Sequence, residues 1–196
     1  MPRVLSIVGT RPDAIKMAPV IQALDACDGI HASTVATAQH RGMLDSVLQV
    51  FDITPTHDLD LMRPDQQPST VAAGVLIGLH PVLEEIKPDL VLVHGDTSTA
   101  FASALAAFHV GVPVGHVEAG LRTRDLSAPW PEEGNRQLIG RIARYHYAPT
   151  ERARQNLLAE AVDATSIIVT GNTVVDALRW MDERLQDAGY SRQIAE

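Results

Sequence analysis

The chain has 196 residues, 45% of them hydrophobic, and a formal net charge of −8 from 16 basic and 24 acidic side chains. That length suits one well-buried domain, and a mean hydropathy near zero excludes both a disordered chain and a membrane protein. The acidic balance carries no basic stripe, which excludes the usual nucleic-acid binder and leaves any anionic ligand dependent on locally placed cations.

The start, MPRVLSIVGTRPD, lacks the long apolar region of a signal peptide. Its run VLSIV (4–8) reads as a buried strand. Gly9 and Thr10 then turn the chain into a helix with Ile15, Ala18, Val20, Ile21 and Leu24 at helical spacing. Thr10 with Asp13 fits a capping box, and Pro12 suits a first helical turn. Cys27, the single cysteine, falls within this helical pattern and excludes an internal disulfide and a cysteine metal site.

A second strand, ASTVAT (32–37), follows, and then a helix with Val75, Leu76, Leu79, Val82, Leu83 and Ile86 on its apolar face. The strand LVLVH (90–94) leads into Gly95-Asp96-Thr97-Ser98-Thr99, another glycine turn followed by capping residues. Next come the apolar segment FASALAAF and the strand PVGHV (113–117). No stretch approaches 18 apolar residues, so a spanning segment is not expected. A weaker strand signal lies near Tyr145, and SIIVT (166–170) ends in a third such turn, Gly171-Asn172-Thr173. Thr173 and Asp176 repeat the capping-box spacing, and Val174, Leu178, Met181 and Leu185 fall on one face of the last helix. Apolar strands alternating with amphipathic helices predict an α/β fold, a doubly wound Rossmann-like parallel sheet with helices on both faces. In such sheets ligands bind at helix N-termini beyond the carboxyl ends of the strands.

Several well-marked chemistries are missing. Residues 9–14 read GTRPDA, neither a dinucleotide nor a triphosphate loop, and there is no GxSxG, HExxH or calcium-loop pattern. The eight histidines are scattered without close ligand spacing, so a metal site is not expected. Charged residues at strand ends remain. Arg11 and Lys16 flank the first glycine turn, either as solvated helix charges or as positive charge beside a helix N-terminus. Asp96 follows a buried strand; as a simple N-cap it would contribute about 1 kcal/mol. Glu118 also follows an apolar strand, where edge solvation is the plainer explanation.

The stretch from Glu118 to Arg136, EAGLRTRDLSAPWPEEGNR, reads as a long loop with four acids, arginines, two prolines and a tryptophan. Loops of this length inside compact domains are usually functional or disordered. Glu132 and Glu133 adjoin a helix start, where acids complement the macrodipole. Carboxylates converging on one sheet edge suit general acid–base work. An acid that donates a proton at neutral pH needs a pKa raised by about 2 units or more.

The strings GTRPDAIKMAPVI, TAQHRGMLDSVLQVF, KPDLVLVHGDTSTAFASALAAF, GHVEAGLRT, PWPEEGNRQL and TGNTVVDAL occur in order. Together they resemble non-hydrolysing UDP-N-acetylglucosamine 2-epimerases over nearly the whole chain. The resemblance implies one half of a two-domain glycosyltransferase-B-type fold. Residues 1–172 would form the N-terminal Rossmann-like domain, and 173–196 a helix leading toward a second domain. It implies a cytoplasmic isomerase without metal or redox cofactor, interconverting UDP-N-acetylglucosamine and UDP-N-acetylmannosamine for surface polysaccharide precursors. The reaction implied is loss of the carbon-2 proton with expulsion of UDP, then re-addition after reprotonation from the opposite face. By motif, Asp96, Glu118 and Glu132 resemble the family's acid–base and transition-state-stabilising carboxylates. Arg11, Lys16 and Arg136 resemble substrate-binding cations. Gln39, His40 and Arg41 match a string that borders a regulatory substrate site in some members. Two positions depart from the family pattern: Asp13 stands where Glu is commoner, and Arg124 where Gly is commoner.

The family's second domain has no counterpart in these 196 residues, so the isolated chain is expected to bind weakly and turn over little. A homodimer through N-terminal domains is also implied. The rival readings are a hydrolysing 2-epimerase, a glycosyltransferase of the same architecture, and a non-catalytic binding or dimerisation domain.

Overall fold

The computed structural model describes residues 1–37, 41–61 and 66–186. Gln39 and His40 lie outside the described residues, and the Arg41 side chain is likewise not described. Seven parallel strands form one sheet: β1 (Arg3–Val8), β2 (His31–Ala36), β3 (His57–Asp58), β4 (Leu90–His94), β5 (Val114–Val117), β6 (Tyr145–Ala148) and β7 (Ile167–Val169). The helices are α1 (Arg11–Asp25), α2 (Arg41–Val50), α3 (Pro68–Ile86), α4 (Ser98–His109), α5 (Glu132–Ile142), α6 (Glu151–Ala159) and α7 (Val174–Gln186). In space the strands run β3-β2-β1-β4-β5-β6-β7. The chain therefore builds outward from β1 in one direction, returns through α3, and continues the other way from β4. The switch point lies between β1 and β4, where doubly wound sheets open a crevice for ligand.

The period-two alternation of the strands explains the two core layers. Val4 and Val8 of β1, Leu92 of β4 and Val117 of β5 face one side, packing with Met17 and Ile21 of α1 and with Leu48 and Phe51. Leu5 and Ile7 of β1, Val91 and Val93 of β4 and Val114 of β5 face the other, packing with α3 and α4 through Leu79, Leu83 and Ala104. By length and hydropathy α3 is the one described helix that could cross a membrane. Its Leu79, Val82 and Leu83 are instead buried in this core, and Val75 in a smaller cluster with Val71 and Ala102.

The expected strands and helices are present, with four corrections. β3 is two residues long and polar, so no periodicity could mark it. Helix α1 ends at Asp25, leaving Cys27 exposed in the turn beyond it. The long loop is shorter than expected, because Glu132 already begins α5. The face of α7 was also misassigned. Ala177, Trp180 and Met181 pack inward, with Trp180 against Phe51 at 4.6 Å between ring centroids, whereas Leu178 is 70% exposed. Its start is held by Asn172 Oδ1, which accepts from the Val174 N–H at 3.1 Å in place of the Thr173–Asp176 box.

Two glycines are fixed by close approach. At the switch point a Cβ on Gly9 would lie 2.6 Å from Thr99 Cγ2, so the first turns of α1 and α4 meet only across a bare backbone. A Cβ on Gly120 would lie 2.3 Å from the Ala153 carbonyl oxygen, and its φ of +87° disfavours any side chain. That carbonyl belongs to α6 and cannot swing aside. Gly120→Ala is expected to destabilise the fold by about 2–4 kcal/mol, read as a lowered urea midpoint; a midpoint within error of the unsubstituted chain would contradict it.

Candidate functional site

The site grows from the turns after β1, β4 and β5. At the first turn the Thr10 hydroxyl accepts from the Asp13 N–H while Asp13 Oδ2 accepts from the Thr10 N–H at 3.2 Å, closing the expected capping box. At the second turn Thr97, not Asp96, caps α4 by accepting from the Ala100 N–H at 3.1 Å. Capping therefore does not account for Asp96, and its carboxylate is left for other contacts. The two turns are joined through Asp13, whose Oδ2 lies 3.5 Å from the Thr97 hydroxyl and whose Oδ1 lies 3.3 Å from His94 Nδ1. Both Asp13 and His94 are buried.

Glu118 follows β5 with φ at +65°, a left-handed backbone that costs a non-glycine residue about 1–2 kcal/mol. Strain of this kind persists where the surroundings over-determine the conformation, and here three groups do so. Its Oε1 receives Lys16 Nζ at 2.6 Å and Asn172 Nδ2 at 2.9 Å, and its Oε2 faces His94 Nε2 at 3.5 Å. Lys16 is therefore no solvated helix charge. Burial works to raise the Glu118 carboxyl, but Lys16 and Asn172 outweigh it and hold its pKa below the ordinary carboxylate value.

Asp96 is treated oppositely. Arg136 Nη2 grips its Oδ2, and Asn135 Nδ2 donates to its backbone carbonyl at 2.9 Å. Burial raises its pKa, the Arg136 charge pulls it down, and Glu132 and Glu118 push it up again; the net direction is upward. Two carboxyls at neighbouring strand ends are thus driven apart in acidity, the pattern that separates an acid from a base in one site.

Arg136 is steered in turn by Glu133. This carboxylate is fully buried and accepts from the Thr123 N–H at 3.1 Å, the Arg124 N–H at 3.0 Å and Gln137 Nε2 at 2.8 Å, with Arg136 Nη1 at 3.4 Å. Burial alone would raise its pKa; the bonds from Gln137, Thr123 and Arg124 and the Arg136 charge reverse that and lower it. Glu133 thereby ties the loop after Glu118 to the cation that holds Asp96.

Glu132 lines a cavity of about 280 Å³ with Thr10, Thr97, Ser98 and Pro131, at the mouths of α1, α4 and α5. Arg11, exposed at the first position of α1, enters no ion pair among the described residues. A larger cavity, about 350 Å³, lies beside α1 against the sheet, but its walls are Val4, Leu24, Leu90, Val117 and Tyr147, and no charged group lines it. The polar crevice is the better candidate, because it lies at the switch-point turns beside the Asp96–Arg136 pair. Among the described residues no cluster of three His, Cys, Asp or Glu side chains is arranged for a metal. The structure thus brings Lys16, Asp96, Glu118 and Arg136 into one ion-paired rim, sets Glu132 close by, and leaves Arg11 at its edge. Sequence reasoning missed His94, Asn172 and the linking roles of Asp13 and Glu133.

A family model described as UDP-N-acetylglucosamine 2-epimerase matches residues 22–196. The chain belongs to the UDP-N-acetylglucosamine 2-epimerase family. Within it, the chain is 57% identical to the UDP-N-acetylglucosamine 2-epimerase of Yersinia pestis over 185 residues, covering 94% of this chain and 49% of that protein. It superimposes with a TM-score of 0.93 and 50% identity on the crystal structure of the Neisseria meningitidis 2-epimerase bound to UDP-GlcNAc, covering 97% of this chain and 52% of the other. A lipopolysaccharide outer core galactosyltransferase, 15% identical with a TM-score of 0.64, shares the fold alone. The chain spans about half the length of the curated relatives it matches.

Because the folded pKa of Glu118 lies below its unfolded value, its contacts stabilise the family fold above the unfolded carboxylate pKa, and that share is lost as pH falls through the folded value. Glu118→Gln is therefore expected to lower stability at pH 7 by about 1–3 kcal/mol, with the deficit shrinking as pH falls below the unfolded carboxylate pKa. Paired urea melts would show it, and a deficit independent of pH would contradict the electrostatic origin.

Proposed function

We propose that this chain supplies the acid–base half of a non-hydrolysing 2-epimerase acting on UDP-N-acetylglucosamine. The observation that supports this best is the pairing of Asp96 and Glu118 at adjacent strand ends, one gripped by Arg136 with acids nearby and the other held by Lys16 and Asn172. Glu118, kept ionised, is suited to take the proton from carbon 2 of the sugar. The electrons of that C–H bond form a carbon 1–carbon 2 double bond as the C1–O bond breaks and UDP leaves with its pair. Asp96, which holds its proton more tightly, is suited to return one to carbon 2 from the opposite face as UDP adds back to carbon 1, giving UDP-N-acetylmannosamine. Glu132 and Arg136 stabilise the charge that moves between these centres, and Arg11, beside the α1 N-terminus, serves the diphosphate. Each turnover leaves one carboxyl with an extra proton and the other without one, so the site must re-equilibrate with solvent.

The product fits precursor supply for a surface polysaccharide in the cytoplasm. We further propose a homodimer through α3, α4 and α5, whose Ile77, Phe108 and Leu138 are 76%, 58% and 50% exposed. Large apolar side chains left open on adjacent helices favour association. Sedimentation should give twice the chain mass, and Phe108→Glu should return it to the monomer; a monomeric unsubstituted chain contradicts the assembly.

The chemistry is testable by incubating UDP-N-acetylglucosamine with the chain in D₂O, with and without the complementary half of a relative. NMR would follow deuterium at carbon 2 and the appearance of UDP-N-acetylmannosamine. Weak exchange alone, stronger exchange with the added half, and a loss of roughly 10²–10⁴-fold in Glu118→Gln or Asp96→Asn are expected. Free N-acetylmannosamine as the product would move the assignment to a hydrolysing enzyme, and no exchange under either condition would overturn it.

A further inference from the structure

His94 is the last residue of β4, and its side chain is only 3% exposed. Its two ring nitrogens face two different carboxylates: Nδ1 lies 3.3 Å from Asp13 Oδ1, and Nε2 lies 3.5 Å from Glu118 Oε2. The first is a hydrogen bond, and because a carboxylate only accepts, the proton of a neutral ring belongs on Nδ1. Nε2 is buried and without a hydrogen-bond partner among the described residues, although it points at the carboxylate assigned above as the base. A buried ring nitrogen left unpaired costs on the order of 1–3 kcal/mol, and of the buried histidine nitrogens in this position His94 Nε2 is the one that faces this carboxylate. The ring is not required as a cap, since Thr10 and Thr97 cap the two helices.

Resting on the reading of Glu118 as the base, we propose that His94 and Asp13 form a proton-holding pair behind it. A proton arriving on Glu118 Oε2 passes to the lone pair of His94 Nε2. The carboxylic acid becomes a carboxylate, the imidazole becomes an imidazolium, and Asp13 remains an anion that stabilises the new charge through Nδ1–H. No electrons change hands, and the reverse transfer restores the resting state. The arrangement follows the logic by which a buried carboxylate orients a histidine and stabilises its cation. Lys16 and Asn172 occupy only Oε1, so Oε2 is the oxygen open to this exchange.

The other groups around the ring are consistent with the assignment. From α1 it meets Asp13. From the end of β5 it meets Glu118, with Lys16 beyond on the other oxygen. From β5 itself comes His116. His116 stays neutral at physiological pH: burial pushes its pKa down to about 3, against the pull of the Gly95 carbonyl it binds at 2.7 Å. It therefore adds no competing charge while His94 takes up its proton. His94 acts through Glu118 and is a positioning residue.

The test uses the intact chain, labelled with ¹⁵N-histidine, and needs neither substrate nor turnover. Long-range ¹H–¹⁵N spectra read the tautomer of each imidazole, with His94→Asn assigning the resonance. The unsubstituted chain should show His94 with its single proton on Nδ1 at neutral pH. In Glu118→Gln and in Asp13→Asn, the second proton should bind less readily than in the unsubstituted chain, because a neighbouring negative charge has gone. A His94 carrying its proton on Nε2, or already doubly protonated at neutral pH, overturns the proposal. So does a protonation midpoint unmoved by Glu118→Gln. The tautomer alone decides the matter if a variant fails to fold. The deuterium experiment on carbon 2 can fail without altering these spectra, so loss of the epimerase reading and loss of the proton-holding pair are separable.

Discussion

The rim of this sheet depends on one buried carboxylate. Asp13 closes the cap of α1, approaches the hydroxyl that caps α4, and faces the imidazole at the end of β4. Desolvating a carboxylate costs several kcal/mol, and only a full set of donors offsets that. The geometry of those donors therefore fixes the relative placement of two helices on either side of the switch point. Gly9 completes the constraint, because the turn carrying Thr10 can sit against Thr99 only without a side chain. The position of every group farther along the rim follows from how these two turns meet.

From that junction, two charge networks diverge with opposite consequences. One joins Glu118 to Lys16 and Asn172, with His94 behind it, and its donors favour the ionised carboxylate. The other runs from the loop backbone through Glu133 and Arg136 to Asp96. A single guanidinium shared between two carboxylates cannot neutralise both, and burial together with Glu132 and Glu118 tips Asp96 toward its protonated form. The two acids differ because of their surroundings, which are assembled from residues more than 100 positions apart in the chain.

Much of this was legible in the sequence, and the limits have physical causes. The strand–helix alternation could be read because a sheet buried on both faces leaves continuous apolar runs, and the Thr10–Asp13 box because capping is local. Lys16, Asp96, Glu118 and Arg136 were legible as charges at turns following apolar strands. Their partnerships were not, since the Lys16–Glu118 contact depends on strand order rather than spacing. His94 looked like the end of an apolar run, and its chemistry appears only when α1 and β5 are placed on either side of it. Glu133 looked like a second helix-start acid; its full burial depends on the loop folding back onto it. The inward face of α7 was misread because the exposed Val174, Leu178 and Leu185 are more apolar than the Ala177 and Trp180 stripe that packs.

The openness of the crevice bears on what these groups can do. Electrostatic effects of the kind set up around Asp96 and Glu118 grow as water is excluded, since the same charges interact several-fold more strongly at low effective dielectric. In the present rim Asp96 is still about a quarter exposed and Glu118 about a tenth. A surface closing over the rim would therefore act unequally. It would raise Asp96 further, because its upward direction already comes chiefly from burial, and it would strengthen the Lys16–Glu118 attraction that opposes burial on the other side. Closure would widen the difference in acidity that the fold has begun. A site so arranged gains more from being covered than from any added charge.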